Sequence, residues 1–193
     1  MIAWLAARAA RSCLPFTDTR ADRRWVRASP RALAERLPAA GPLLTLATPV
    51  PTAAATAGGF LVARTELAAL PAMHWLIVGS RVDADGPHEW IECRDRDGRL
   101  GLQCHLLPDT DYLGWEALTC LVENTAACEA PPMCDPPPSF LGVLDFRWHR
   151  QAGLNLVDAV DVTGVSPWGS EAVRAAARAT GLPIGSVGGG GSF

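Results

Sequence analysis

The 193-residue chain contains no lysine; all seventeen of its basic residues are arginine. That absence removes Schiff-base chemistry at an amine and the phosphate-gripping lysine of a Walker loop. Tyrosine occurs once. No run approaches eighteen uninterrupted apolar residues, so no membrane span is expected. The N-terminal MIAWLAARAARSC has Arg8 and Arg11 inside its apolar stretch. It lacks the basic-then-apolar order of a secretory signal, and a cytoplasmic protein is expected. Neither G-x-S-x-G nor H-E-x-x-H nor C-x-x-C occurs, so the sequence writes out no hydrolase elbow, zincin helix or thiol-redox pair. No enzyme mechanism is legible. A net charge of −3 argues against a nucleic-acid binder driven by phosphate neutralisation.

Hydrophobic residues make up 49% and charged residues 19%, enough for a sizeable core. The most informative stretch is 90-WIECRDRDGRLGLQCHLL-107, which reads as a β-hairpin turning at Asp97-Gly98. Its cross-strand partners are then Arg96 with Arg99, Cys93 with Leu102 and Ile91 with Cys104. Side chains alternate faces. One face collects Ile91, Cys93, Leu100, Leu102, Cys104 and Leu106; the other collects Trp90, Glu92, Arg94, Gln103 and His105. A half-buried antiparallel sheet follows. Without a secretory signal a disulfide framework is not expected, and Cys93 and Cys104 read as small core hydrophobes more readily than as metal ligands.

Along the chain, residues 2–11 suit a short helix and 13–28 a connector. Ser29-Pro30 starts a helix to about Leu37, with Leu33 and Leu37 on one face. Strands are expected at 42–48, 60–64 and 73–80, the last apolar on both faces and hence central, with a small-residue loop at 49–58. The stretch 109-DTDYLGWEALTCLVEN-124 has an apolar helical stripe of Trp115, Leu118, Leu121 and Val122. Five prolines between 125 and 139 predict a semi-rigid linker. Beyond it, 140–161 reads as helix, Ser170 as the cap of a second helix ended by Gly181, and 182–187 as the start of a strand. GGGGSF at the end reads as a terminus, since no helix follows it to make a phosphate loop. The domain reading is 1–123 as an α+β unit, 124–139 as linker, and 140–193 as a helical segment with a short strand packed back on the sheet.

The order of a capped helix, 41-GPLLTLATP-49, 73-MHWLIVGS-80, 91-IECRDRDGRLGLQCHLL-107, 111-DYLGWEAL-118 and a proline-rich linker resembles the bacterial haem-utilisation proteins of the HemS/ChuX type, the hemin-transport or hemin-degrading factors. Gly98 beside Asp97, and Asp111, Trp115, Ala117 and Leu118, match the family's patterns. Residues 171–187 resemble the opening of its second repeat. The likeness covers roughly residues 22–123, and 171–187 loosely. It departs at Val143, near the family's axial histidine; at Gln103, in place of a lysine; and at the uncharged loop 51-PTAAATAGG-59. The resemblance implies an α+β fold of antiparallel sheet and flanking helices, and haem as cofactor, for haem trafficking or iron acquisition. Oxidative haem degradation would be the enzymatic form.

A haem site needs axial donors, an apolar slot and cations for the propionates. His74 reads as a core histidine or a pocket residue. His105 beside Trp90 reads as a surface pair or as the lining of a flat ligand. His149, in 145-DFRWHR-150, is an axial donor or a solvated helix residue; the iron ligand is His149 or His74. Arg147 and Arg150 are the candidate propionate clamps. The alternative is a relative without haem ligands that binds another flat apolar ligand, a protein partner or a second copy through the Trp90/Gln103/His105 face.

Overall fold

The computed structural model describes residues 21–49, 59–83, 86–121 and 131–184. The expectations for residues 2–11, for most of the small-residue loop, for Val122 and for the C-terminal tail lie outside these residues.

Eight strands form one sheet: β1 (Asp22–Val26), β2 (Pro42–Ala47), β3 (Leu61–Val62), β4 (Trp75–Asp83), β5 (Gly86–Arg94), β6 (Leu100–His105), β7 (Phe140–Gln151) and β8 (Leu154–Asp161). Their spatial order is β1-β4-β5-β6-β2-β7-β8-β3. Every neighbouring pair is antiparallel except β3 with β8. The helices are α1 (Pro30–Arg36), α2 (Tyr112–Thr119) and α3 (Pro167–Thr180). The α+β class and the antiparallel sheet with flanking helices are therefore as the sequence implies.

α1 begins where the serine-proline pair places it: the Ser29 hydroxyl accepts from the Ala32 amide, with Pro30 in the first turn. Leu33 and, just past the helix end, Leu37 are fully buried. α2 is capped by Asp111, whose carboxylate accepts from the Leu113 and Gly114 amides. Gly114 lies against the Ala39 backbone so closely that a Cβ there would collide with its carbonyl, which sets how near α2 can sit. α1, α2 and the hairpin's apolar side enclose the main core, with Ile91, Cys93, Leu102, Cys104, Leu144, Phe146, Trp115 and Leu118 inside. A smaller core lies on the opposite face, where Val173 of α3 meets Leu44, Leu141 and Val143.

The hairpin register is the expected one at Ile91↔Cys104 and Cys93↔Leu102. The turn is not. Asp95–Gly98 form it, with Gly98 at φ 78°, and Arg99 faces Asp95 rather than Arg96. A left-handed glycine after a tight turn adds a residue to one strand. An irregularity at Cys93/Arg94, opposite Gly101, restores the pairing.

Several expectations are corrected. The connector contains β1, a charged strand that pairs along β4. β4 is interior but one place from the edge. Residues 140–161 are not helix: they are β7 and β8, joined through Ala152 (φ 49°) and Gly153 (φ 81°). The last helix is capped by Ser166, not Ser170, and the hydroxyl and amide of Ser166 also bind Asp109. Residues 182–184 form no strand. The described part of the proline-rich segment runs beside the hairpin turn, where Cys134 exchanges backbone hydrogen bonds with Gly98 and Leu100.

Candidate functional site

The hairpin's mixed face is closed by the chain's own residues. Glu92 and Arg94 are each 1% exposed. The Glu92 carboxylate accepts from Trp90 Nε1 (2.7 Å) and from Arg94 Nε (2.7 Å) and Nη2, and lies 3.6 Å from Arg23. Arg94 also donates to the Gly98 carbonyl (2.8 Å) and pairs with Asp135 of the proline-rich segment (2.6 Å). Arg23 stacks over the Trp90 ring and reaches Met133 Sδ. Trp90 is thus buried with its N–H spent on Glu92. It is a structural side chain in this face, and the expected slot beside it is filled.

The thiols of Cys93 and Cys104 point inward, fully buried. Burial raises both pKa values, that of Cys104 to about 12, so neither is a thiolate at neutral pH. Among the described residues no cluster of three metal-ligating side chains occurs.

The three candidate histidines do not converge. His105 lines up with Trp90 and Gly79 across the strands, and with Leu44 and Val143 on the other side. His74 lies five residues below that row, immediately before β4, about 16 Å. β7 runs parallel to β4 in the sheet, and His149 lies six residues above the same row, about 20 Å. They occupy opposite ends.

His105 sits tilted against Trp90 with ring centroids 6.3 Å apart. Burial, with smaller contributions from His88 and Arg81, lowers its pKa to about 4. The folded-state value is below the unfolded one, so the unfolded chain binds the proton first as pH falls. Stability is full above about pH 6.5 and is lost on the way down to about pH 4, by about 3 kcal/mol in total. Urea midpoints measured at pH 7 and pH 4 check this: His105→Gln is expected to flatten the difference, and an equal acid loss in that variant would contradict it.

A cleft of about 250 Å³ lies beside α2, lined by Glu89, Tyr112, Leu113, Trp115, Glu116 and Thr119. Its two carboxylates oppose an anionic ligand, and it holds no imidazole. Trp115 Nε1 donates to Glu89 (2.8 Å), and burial beside Glu89 raises the Tyr112 pKa.

The outer part of the β7–β8 ribbon is different. β2 pairs with β7 only as far as Asp145, so Arg147, His149 and Gln151 lie beyond it. They face the same way and stand opposite Asp158, Leu156 and Leu154. His149, Arg147 and Arg150 are exposed. Leu154 is 59% exposed. Among the described residues none of the three basic side chains has a hydrogen-bond or ion-pair partner. Arg150 points to the opposite face, that of Trp148, which packs on Phe60. His149 is therefore on a strand, not a helix, and the ribbon's outer face was hidden from sequence reading because its strands were not recognised. The Ala152-Gly153 turn was the available signal.

No protein-family profile matches this sequence, and no curated protein matches it. Solved structures do. A crystal structure of holo-PhuS, a heme-binding protein from Pseudomonas aeruginosa, is similar with TM-score 0.41 and 18% identity over 61% of this chain and 39% of that one. A structure of apo-PhuS, also from Pseudomonas aeruginosa, gives TM-score 0.31 and 18% identity over 55% and 38%. The chain spans about two-fifths of the length of these proteins. No helix among the described residues is long and apolar enough to cross a membrane.

Proposed function

We propose that this chain binds haem or a similar flat metalloporphyrin, in haem trafficking or iron acquisition, on the outer face of the β7–β8 ribbon. The supporting observation is the side-chain set there. An exposed imidazole, His149, with no partner among the described residues, is flanked by Leu156 and Leu154, with Arg147 two residues away on the same face, about 6.6 Å along the strand. A neutral imidazole is an iron donor, leucines suit the macrocycle, and a free guanidinium matches a propionate carboxylate. Bound haem would supply the iron centre; His149 would serve as its donor, Leu154 and Leu156 as the apolar rest and Arg147 as the counter-charge. Arg150 faces the other side and serves a propionate only past the ribbon's edge. The Trp90/Gln103/His105 face fits a flat ligand or a second copy less well, since Glu92, Arg94 and Asp135 already fill the ground beside it.

Hemin titration followed by the Soret band tests the reading. A saturable shift at micromolar hemin is expected, abolished by His149→Ala and weakened by Arg147→Gln, but unchanged by His74→Ala and His105→Ala. A spectrum that does not move, or a shift indifferent to His149→Ala, overturns it.

A further inference from the structure

At the other end of the sheet, a buried donor lacks an acceptor among the described residues. Trp75 is 6% exposed, and its indole N–H has no hydrogen-bond partner among the described residues. A buried donor left unpaired is destabilising and points to a missing acceptor. The Arg27 guanidinium lies 4.9 Å above the same ring. His74 meets that ring edge-on at 5.2 Å, and its amide donates to the Arg94 carbonyl. Continuing the β4–β5 register past Trp75↔Arg94 brings Asp95 opposite His74, with Arg96 the next residue along the hairpin turn. Arg27 and Arg96 are exposed and in no ion pair among the described residues. Both depress the imidazole's pKa, after burial, so positive potential meets at His74.

The acids nearby are committed. The Asp95 carboxylate accepts the Asp97 and Arg99 amides and shapes the turn. Asp135 and Glu92 are held by Arg94. Asp97 is exposed on the turn beside Arg96.

We propose that Arg27, Arg96, His74 and the indole N–H of Trp75 form a binding site for a doubly charged oxyanion of the phosphate class. Two guanidiniums and a further N–H suit an anion with three acceptor oxygens better than a carboxylate, which one guanidinium satisfies. The free anion and a phosphomonoester share this chemistry. The site is independent of the porphyrin reading and lies at the far end of the sheet from His149.

Titration with inorganic phosphate, and separately with glycerol phosphate, at constant ionic strength tests it, read by the Trp75 indole and His74 imidazole NMR signals. Saturable movement of both signals is expected, with a rise in the His74 pKa. Arg27→Gln with Arg96→Gln is expected to weaken binding about tenfold or more, the loss of charge-assisted hydrogen bonds. Trp75→Phe keeps the ring and removes the N–H, and should weaken binding less. His149→Ala should change nothing. Saturation by glycerol phosphate alone marks a phosphomonoester as ligand; saturation by either supports the site. Movement that does not saturate, or that persists in the double arginine variant, overturns it.

Discussion

Arg94→Ala is expected to lower the unfolding free energy by about 3–5 kcal/mol, as breaking a buried ion pair from one side does. The guanidinium and the Glu92 carboxylate are each 1% exposed. Without Arg94 the carboxylate keeps only the Trp90 N–H and the more distant Arg23. The Gly98 carbonyl in the turn and Asp135 lose their partner at the same time. The hairpin turn and the proline-rich segment are thus loosened together. Glu92→Ala should cost a similar amount, since it leaves a buried cation. Replacing both residues by Met and Leu should fall much nearer to neutral, because no charge is then stranded. Urea unfolding of the two single variants and the double variant gives the coupling. A loss below about 1 kcal/mol for Arg94→Ala would mean that water reaches the pair.

The second large effect is Leu102→Ala, at about 2–5 kcal/mol. Leu102 is fully buried opposite Cys93, between the sheet and the helices. Its neighbour Gln103 points the other way and is only half-buried. Gln103→Ala is expected to stay within about 0.5 kcal/mol. The same urea experiment separates them, and equal effects at 102 and 103 would contradict the assignment of faces.

These two substitutions divide along what a linear reading reaches. The faces of Ile91, Cys93, Leu102 and Cys104 follow from strict alternation, because a one-residue slip would send all four to water together; Leu100 breaks that alternation, since the irregularity at Gly101 sets it opposite Arg94 on the mixed face. α1 was equally legible, since a serine cap and a first-turn proline act locally. The Asp-Gly pair was ambiguous: it suits a two-residue turn and also the longer one observed, and only pairing farther up the strands chooses. β1 was missed because DRRWV carries three charges; β4 holds it in place. β7 was misread because a strand covered on both faces at its start shows no alternation there. Once its strands are in place, His149 and Arg147 share a face and the three histidines separate.

The sequence by itself determined the α+β class, the inward thiols, most of the apolar side of the hairpin and the cap of α1, all of which depend on residues a few positions apart. Only the tertiary structure decided that Glu92 and Arg94 are buried partners, that residues 140–161 complete the sheet, and which basic side chains remain unpaired among the described residues. Whether a charge is satisfied depends on Arg23, Asp135 and other groups tens of residues away, and that distance is closed only by folding.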